Sequence, residues 1–440
     1  MDISALYTCF AACGEVTTDS RRCPAGSLFI ALRGASFDGN DFALRALEQG
    51  CRYAVVDRDI PCKDAGMQAR LLRVDDSLKA LQMLAREHRR RLGTRIIGIT
   101  GTNGKTTTKE LMAAVLQRRF RVLYTQGNLN NHIGVPLTLL RLTPQDELAV
   151  IEMGASHPGD IRELTGIAEP DYGLITNVGR AHLQGFGSIE GVLRTKGELY
   201  DWLREHGGQG IFLDRDNTLL AGIAHGLKCI NYGQTPANGG MAEAELYVSG
   251  HLCSCAPFLS FEWEHDGRLF GVDTHLIGSY NLKNTLAAIA AGLYFGVPAE
   301  EICEALSAYV PHNNRSQLTL TADNKLIVDA YNANPTSMMA ALENFRLMEV
   351  SRKMAILGDM RELGECSEEE HRRVAEYLDA CGFDRVMLVG EEFARATTHF
   401  EHYHDVEALK AALQQEKPKG WHILIKGSNS IRLWQLPEVL

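Results

Sequence analysis

A glycine-containing loop between a predicted strand and a predicted helix is the clearest chemical feature of the sequence. In such a strand, loop and helix arrangement, backbone N–H groups and the positive end of the helix dipole hold phosphate oxygens. We expect Lys105 to contact the β- and γ-phosphates of ATP and the Thr106 hydroxyl to ligate Mg²⁺. The loop residues are Gly101, Thr102, Asn103, Gly104, Lys105, Thr106 and Thr107.

The loop departs from the strict phosphate-loop pattern at one position. That pattern requires a glycine five residues before Gly104, where this chain has Ile99. The alternative interpretation is an ordinary glycine turn that precedes a helix. The buried strand predicted at 95–100 and the helix predicted at 106–117 favour the phosphate site.

Two further residues stand where predicted strands end. Glu152 lies in the strand predicted at 148–153, and His182 follows the strand predicted at 173–178. Because parallel strands end at one edge of a sheet, we expect both side chains beside the loop. Oxygen ligands suit Mg²⁺, and cations neutralise a transferred phosphoryl group. Taken alone, Glu152 could equally be a helix cap or a surface carboxylate, and His182 a structural histidine. Their shared position at the strand ends favours a role in the nucleotide site.

Lys196 lies in a predicted helix, within the segment 194–199. Nothing in its spacing distinguishes it from a solvated lysine, so on the residues alone we interpret it as one.

Short apolar runs that alternate with helical patterns predict parallel α/β structure from about residue 94 onward. The antiparallel meander predicted at 244–248, 259–263 and 268–272 divides these strands into two groups, which indicates two α/β domains. The first 80 residues form a smaller unit, with strands predicted at 27–32 and 53–56 and a helix at 42–49 that Gly50 ends. The remaining predicted strands are 95–100, 148–153, 173–178, 326–330, 354–358, 385–389 and 423–426.

Composition narrows the classes of partner. The formal net charge is −10 and the pI is about 5.9, which excludes a global basic field for nucleic acid or an anionic membrane. The five arginines between Arg86 and Arg95 are interpreted as a solvated helical face rather than a nucleic-acid patch. The eleven cysteines include no C-x-x-C pair, and no apolar run approaches the ~20 residues of a membrane helix. We expect a cytoplasmic protein that acts on small molecules.

Read together, the motifs resemble those of the Mur ligases. The resemblance spans nearly the whole chain, in the family's order. Its segments are DSR (19–21), GSLFIALRG (26–34), DG (38–39), the loop 101–107, EMGAS (152–156), NVGRAH (177–182), GFGS (185–188), KGEL (196–199), NLKN (281–284), DAYNANP (329–335), LGDMRELG (357–364) and KGS (426–428).

Within the family, the segments 331–335 and 357–364 resemble the members that add D-alanyl-D-alanine. The Asp-Asn-Pro-Arg segment of the diaminopimelate- or lysine-adding sibling does not occur. The resemblance implies an ATP-dependent ligase that joins D-alanyl-D-alanine to UDP-N-acetylmuramoyl-tripeptide through an acyl phosphate, in peptidoglycan precursor synthesis. The third residue of the tripeptide and the group that accepts the amine proton stay open. The alternatives are a folylpolyglutamate synthetase-like ligase and a non-catalytic ATPase switch.

The resemblance also implies a division into three α/β domains. We expect the chain to be a monomer. Residues 1–82 would bind the UDP-sugar peptide, residues 83–311 would form a central ATP-binding domain with a mostly parallel sheet, and residues 312–440 would form a Rossmann-like domain.

By the same resemblance, Thr106 and Glu152 hold one Mg²⁺, and His182 and a carbamylated Lys196 hold a second. A carbamate gives lysine the oxygen ligands that an ammonium lacks. Lys105, Glu152, His182 and Lys196 are thus the expected catalytic residues. The further nucleotide-binding residues implied are Asn281, Arg315, Asp329 and Asn332, and the substrate-binding residues implied are Ser20, Arg21, Asp38, Gly39, Asn334 and Lys426.

Two positions depart from the family's pattern. Tyr280 stands where a histidine often precedes the asparagine, and Asn429 replaces the arginine that usually follows the KGS segment. The first change affects packing at the adenine site. The second leaves open how the third domain holds the dipeptide, for which Arg432 is a substitute candidate.

Overall fold

The structure, a computed structural model, describes residues 1–235, 246–311, 315, 317–397 and 399–440. It contains three sheets that follow one another along the chain. The predicted α/β class with three sheet-containing regions is confirmed. The expected boundary at 82/83 falls within a continuous helix, Ser77–Leu92, and the expected boundary at 311/312 falls on residue 312, outside the described residues. The domain bounds therefore stay predictions.

The first region is a four-stranded parallel sheet in the order β1-β2-β3-β4. Its strands are short because small loops and helices interrupt them, and the central strand β2 is buried along its length. The strand predicted at 53–56 is confirmed with its bounds. The strand predicted at 27–32 and the helix that Gly50 ends are confirmed with shifted ends. The elements are β1 (Val16–Thr17), β2 (Leu28–Ile30), β3 (Tyr53–Val56), β4 (Leu71–Arg73), α1 (Ile3–Ala11), α2 (Ala43–Glu48), α3 (Ala65–Gln68), α4 (Ser77–Leu92) and a 3₁₀ turn, Gly39–Phe42.

The middle region is a nine-stranded sheet in the order β13-β12-β11-β10-β9-β8-β5-β7-β6. Its strands are β5 (Arg95–Thr100), β6 (Val122–Tyr124), β7 (Leu148–Glu152), β8 (Tyr172–Ile175), β9 (Gly210–Asp214), β10 (Cys229–Gly233), β11 (Tyr247–Cys255), β12 (Phe258–His265) and β13 (Arg268–Ile277). Its helices are α5 (Lys105–Leu116), α6 (Gly134–Leu139), α7 (Asp160–Ala168), α8 (Leu183–Phe186), α9 (Ile189–Glu205), α10 (Thr218–Ile223), α11 (Asn281–Tyr294) and α12 (Ala299–Ala308).

Helices cover both faces of the parallel part of this sheet, which explains the continuous apolar runs of its strands. Within β5, Ile96 packs into the layer of α7 and α9, while Ile97 packs into the layer of α5 and α11. The predicted strand 95–100 is confirmed, and α5 begins one residue earlier than predicted. The predicted meander is also confirmed as the antiparallel strands β11 to β13, while its first two predicted residues, 244 and 245, lie outside the described residues.

The third region is a six-stranded sheet in the order β14-β15-β19-β16-β17-β18, parallel except for β14. The four strands predicted here are confirmed as β15, β16, β17 and β19. The elements are β14 (Gln317–Leu320), β15 (Lys325–Asp329), β16 (Lys353–Gly358), β17 (Arg385–Val389), β18 (Glu401–Tyr403), β19 (His422–Lys426), α13 (Pro335–Leu347), α14 (Ser367–Cys381), α15 (Glu391–Ala396), α16 (Val406–Gln415) and the 3₁₀ turns Gly364–Cys366, Asn429–Ile431 and Leu433–Glu438.

Four of the five arginines lie in α4 and Arg95 begins β5, so the helix prediction is confirmed for those four. Arg90 and Arg91 are exposed as predicted, but the Arg89 side chain is only 14% exposed. Arg89 pairs with Asp171 and Arg90 with Glu169. In the described part of the chain, no helix has both the length and the apolar character that crossing a membrane requires.

Candidate active site

The phosphate loop joins the end of β5 to the start of α5. Gly101 and Gly104 have φ angles of +139° and +79°, a region that L side chains rarely adopt. A Cβ on Gly104 would lie 2.6 Å from Asn284 Oδ1, so neither conformation nor space permits a side chain. Asn177, after β8, fixes the loop by accepting the Thr102 N–H on its backbone oxygen and the Asn103 N–H on its side chain, at 2.9 and 3.0 Å.

Lys105 begins α5 with its ammonium turned back onto the loop. Its Nζ donates to the carbonyl oxygens of Gly101 and Thr102 at 2.7 and 2.9 Å. Removal of the ammonium from water lowers the pKa of Lys105 to about 8. The lysine is thus positioned at the mouth of the loop, where we expect phosphate.

Glu152, the last residue of β7, is a buried carboxylate with 1% exposure. Its two oxygens accept hydrogen bonds from the Thr106 hydroxyl at 2.9 Å and from the Asn130 amide at 2.8 Å. Of the two interpretations left open by the sequence, the surface carboxylate is wrong. The carboxylate and hydroxyl together present hard oxygen ligands at the start of α5, the donor set that Mg²⁺ prefers.

Lys109, which the sequence analysis missed, supplies positive charge beside Glu152. Its side chain is fully buried, and its Nζ lies 3.9 Å from Glu152 Oε2 and 3.5 Å from Glu110 Oε1. Among the described residues this Nζ has no hydrogen-bond partner. A signal existed, because Lys109 is three residues after Thr106 and therefore lies on the same face of α5.

Lys196 projects from α9 into the interior. The interpretation of Lys196 as a solvated lysine is wrong, because only 2% of the residue is exposed. Its Nζ lies 3.5 Å from the backbone oxygen of Ala155 and 5.4 Å from the centre of the Phe186 ring. Burial, and secondarily the charge of Lys105, place the pKa of Lys196 well below its ordinary value. The side chain is thus biased toward the neutral amine.

His182 lies in the loop after β8 with a positive φ of 50°. Its Nδ1 contacts the carboxylate of Glu362, a residue of the third region. The hydrogen bond from His182 lowers the pKa of Glu362. Sequence reasoning could not find this partner, because the two residues meet only across the junction of two domains.

Further contacts join the phosphate loop to the start of α13 in the third region. The side-chain amides of Asn103 and Asn334 bond reciprocally at 3.4 and 2.8 Å. The Arg180 N–H donates to Thr336 Oγ1 at 3.0 Å, and its guanidinium donates to the buried Glu370 at 2.6 Å. These contacts hold the third region against the mouth of the loop.

The third region also contributes charged side chains. Asp329, at the end of β15, forms an ion pair with the buried Lys426 at the end of β19. The Arg315 guanidinium carbon lies 4.0 Å from the centre of the Tyr331 ring.

Asn281 comes from the middle region, at the start of α11. Its side-chain amide donates a hydrogen bond to the Ile277 backbone oxygen at 2.8 Å.

A cavity of about 720 Å³ lies between the middle and third regions. Gly101, Thr106 and Lys196 do not line the cavity. Thr106 contacts Glu152, and Lys196 contacts Ala155, and both of these partners line it. The predicted residues that line it are Thr102, Asn103, Gly104, Lys105, Thr107, Glu152, His182, Asn281, Arg315, Asp329, Asn332, Asn334 and Lys426.

The substrate-binding residues predicted in the first region lie apart from this cavity. Arg21 pairs with Asp19 at 2.9 Å, and Asp38 caps the 3₁₀ turn through the Asn40 N–H at 2.9 Å. A Cβ on Gly39 would lie 2.5 Å from the Leu32 oxygen, which explains the glycine. Ser20 adjoins Arg21 in the same loop.

Three sequence families match successive parts of the chain. The Mur ligase family, catalytic domain matches residues 14–89, the Mur ligase middle domain matches residues 99–292, and the Mur ligase, glutamate ligase domain matches residues 314–429. The chain belongs to the Mur ligase family. The resemblance read from the motifs is confirmed.

Relatives of this Mur ligase match it over nearly its whole length. It is 37% identical over 436 residues to the UDP-N-acetylmuramoyl-tripeptide–D-alanyl-D-alanine ligase of Bacillus subtilis (strain 168), covering 97% of this chain and 92% of the relative. It is 35% identical over 432 residues to the ligase of the same name from Escherichia coli (strain K12), covering 97% and 93%.

Solved structures agree with this Mur ligase in all three regions. MurF from Acinetobacter baumannii superposes with a TM-score of 0.85 at 30% identity, covering 99% of this chain and 97% of that one. MurF ligase from Thermotoga maritima in complex with ADP gives 0.83 at 27% identity, covering 97% and 96%. Folylpolyglutamate synthase from Mycobacterium tuberculosis gives 0.61 at 14% identity, covering 82% and 94%, a likeness of fold alone.

Proposed function

We propose that this Mur ligase joins D-alanyl-D-alanine to UDP-N-acetylmuramoyl-tripeptide at the expense of ATP, releasing ADP and phosphate. The observation that carries the proposal is the convergence of Lys105, Thr106, Glu152 and His182 at one edge of the middle sheet, against the third region. Full-length similarity to D-alanyl-D-alanine-adding ligases supports this choice of substrates.

The reaction needs ATP because a carboxylate has no leaving group and is a poor acceptor for an amine. The terminal carboxylate of the tripeptide attacks the γ-phosphorus, and the bond to the bridging oxygen of ADP breaks. Lys105, at the mouth of the loop, lowers the repulsion between the two anions. The product of this step is an acyl phosphate.

In the second step the neutral amine of D-alanyl-D-alanine attacks the acyl carbon. A tetrahedral intermediate forms, the amine loses a proton to a base, and phosphate leaves as the amide forms. Water competes with the amine for the acyl phosphate, so it must be kept out of the site. The contacts of Asn103 and Arg180 with the third region help to exclude it. They keep that region over the reacting groups.

The residues around Glu152 fit a magnesium ion. The buried Glu152 carboxylate and the Thr106 hydroxyl are adjacent hard oxygen donors, with Lys109 behind them. His182, with Lys196 as its carbamate, would hold a second ion. Magnesium would supply positive charge against the phosphate oxygens.

The environment of Lys196 favours its carbamylation. Burial holds this amine toward its neutral, nucleophilic form. Such an amine attacks the carbon of CO₂ and loses a proton, which yields an N-carboxylate with two oxygen ligands. The nearby Lys105, whose charge disfavours an ammonium at Lys196, would favour the resulting anion.

The other predicted residues take the substrate roles. Asn281 would lie near the adenine, and Arg315 and Asp329 would face the γ-phosphate and the ribose. Asn332 would also contact the nucleotide, and Asn334 and Lys426 would bind substrate. Ser20, Arg21, Asp38 and Gly39 hold the UDP-sugar in the first region. The net charge of −10 provides no basic field for nucleic acid or an anionic membrane. We propose a cytoplasmic enzyme that acts as a monomer.

Product formation tests the reaction. Purified chain is given Mg²⁺ and ATP with the UDP-tripeptide, with D-alanyl-D-alanine, or with both, and phosphate release and peptide product are measured. We expect sustained release with both substrates and a mass increase of the UDP-tripeptide. Release that ignores both substrates would indicate an ATPase switch, and stimulation by glutamate with a folate would indicate a folylpolyglutamate synthetase.

A further inference from the structure

Two exposed side chains and one partly buried side chain at the antiparallel end of the middle sheet bring different metal-ligand atoms together. They are His251 and Cys253 on β11 and Glu262 on β12. A ring nitrogen, the sulfur and a carboxylate oxygen all lie within 4.8 Å of one another. These residues are absent from the lining of the cavity described above. Their grouping is therefore separate from the catalytic residues.

The register of the two strands explains the grouping. His251 and Glu262 are direct cross-strand partners, and His251 Nε2 lies 3.2 Å from Glu262 Oε2. The pairing shifts between Leu252 and Ser254, so Cys253 occupies an irregular position in β11. The two-residue spacing of His251 and Cys253 favours one face of β11 for both side chains. The thiol lies beside the cross-strand pair.

The strands give these ligands a rigid base and open space. The neighbours of Glu262 in β12, Phe261 and Trp263, are fully buried in the core on the opposite face of the sheet. On its other side, Glu262 pairs with Gly271 of β13, where an added Cβ would meet no atom within 4 Å. Nothing of β13 therefore crowds the ligand atoms at this register position.

We propose that His251, Cys253 and Glu262 bind one divalent transition metal of the zinc class. Imidazole nitrogen and thiolate sulfur select borderline metals, whereas Mg²⁺ prefers oxygen ligands alone. Three protein ligands leave a fourth tetrahedral position for water or an external donor. The ion would bridge β11 and β12 across the bulge and so stabilise the meander.

Cobalt(II) provides the direct test, because thiolate ligation gives a sulfur-to-cobalt charge-transfer band that oxygen and nitrogen ligands do not. The full-length chain, kept reduced with a thiol-free reductant, is titrated with Co²⁺ and then with Zn²⁺. We expect a charge-transfer band that saturates at one equivalent and is abolished when Zn²⁺ displaces the cobalt.

Variants assign the ligands. Cys253→Ser should abolish the band, and His251→Ala and Glu262→Gln should each weaken Co²⁺ binding by at least about tenfold, the lower end of what supporting residues contribute in metal sites. Matched controls replace the same residue types elsewhere: Cys62→Ser, His275→Ala and Glu264→Gln should bind as the unaltered chain does. A missing band, a band that persists in Cys253→Ser, or unchanged affinity in His251→Ala or Glu262→Gln would overturn the proposal. Circular dichroism of each variant establishes that it is folded.

Discussion

At the parallel end of the middle sheet, β5, β7 and β8 carry the candidate catalytic side chains at or just beyond their carboxyl ends. At the antiparallel end, β11 and β12 carry polar side chains along one exposed face. The first arrangement brings Lys105, Glu152 and His182 into one cleft, because parallel strands all end at the same edge. The second leaves each side chain beside its cross-strand partner and open to water.

Burial therefore differs between the two ends, and with it the strength of electrostatic coupling. Glu152 and Lys196 are 1% and 2% exposed, whereas the side chains of His251 and Glu262 are 60% and 40% exposed. Charges removed from water interact strongly, and charges in water are screened. We expect substitutions at the parallel end to have large effects on turnover and equivalent substitutions at the antiparallel end to have small ones.

The largest effect is expected from Lys105→Ala. This change removes the ammonium at the mouth of the phosphate loop, and we expect turnover to fall by at least about 10²- to 10³-fold. The melting temperature should change little, because the ammonium's own bonds are to loop carbonyl oxygens that can bond water. Phosphate release and thermal melting measure the two quantities. Activity close to that of the unaltered chain would refute the phosphate site.

Lys196→Met tests the second buried lysine. It keeps the length and apolar stem of the side chain but cannot form a carbamate, so we expect nearly complete loss of turnover. In ¹³C NMR with labelled bicarbonate, the unaltered chain should show a carbamate signal that Lys196→Met lacks. An active enzyme without that signal would remove the proposed role, and Lys79→Met, on α4, serves as the lysine control.

The pKa of Lys105 gives the parallel end a pH dependence. Nucleotide phosphates contact the ammonium and therefore raise the pKa of Lys105. At a pH above the free enzyme's pKa of about 8, nucleotide binding is thus accompanied by uptake of a proton. ADP affinity should be level below pH 8 and fall as pH rises above it, by up to about tenfold per pH unit. Calorimetric titration measures the slope. Lys105→Arg should flatten it, because arginine stays charged; an equally steep fall in that variant would assign the dependence to another group.

Strands that consist of a continuous apolar run were well predicted from the sequence, because such a run is visible without knowledge of the rest of the fold. β5 and β17 match the predicted bounds, since each is buried on both sides and ends at a turn. Short edge strands such as β6 and β18 were not predicted, because three residues cannot establish a periodicity. The interior strands β9 and β10 were also not predicted, although both are buried, whereas the meander at the edge of the same sheet was. Chain-local patterns thus recover part of each sheet, at its centre and at its edges.

The site was predictable to the extent that its residues belong to motifs. The loop residues and Glu152 could be placed from strand ends alone. The burial of Lys196 and the contact of Glu362 with His182 could not, because both depend on how separate elements pack. Lys109 is intermediate: its helical spacing from Thr106 was readable, but its burial beside Glu152 was not.

Arg180→Ala probes the boundary between the parallel end and the third region. It removes the guanidinium that contacts Glu370, whose side chain is 4% exposed, while Arg373 remains 3.3 Å from that carboxylate. Because half of the Arg180 side chain is exposed, we expect a loss of about 1 kcal/mol, which corresponds to about a fivefold decrease in kcat/KM. Steady-state kinetics with all three substrates provides the measurement. An unchanged kcat/KM would show that this contact does not contribute to closure.

The smallest effect is expected from Arg268→Ala, the matched change at the antiparallel end. Arg268 and Glu300 form an ion pair of 2.9 Å, but their side chains are 66% and 59% exposed. An exposed ion pair contributes little to folding because water screens it, and this one lies on the far edge strand from the cavity. Turnover and the melting temperature should both be unchanged. Both variants remove an arginine that pairs with a glutamate, so comparing them separates the effect of position from the effect of charge. A comparable kinetic defect in Arg268→Ala would show that the two ends of the sheet are coupled.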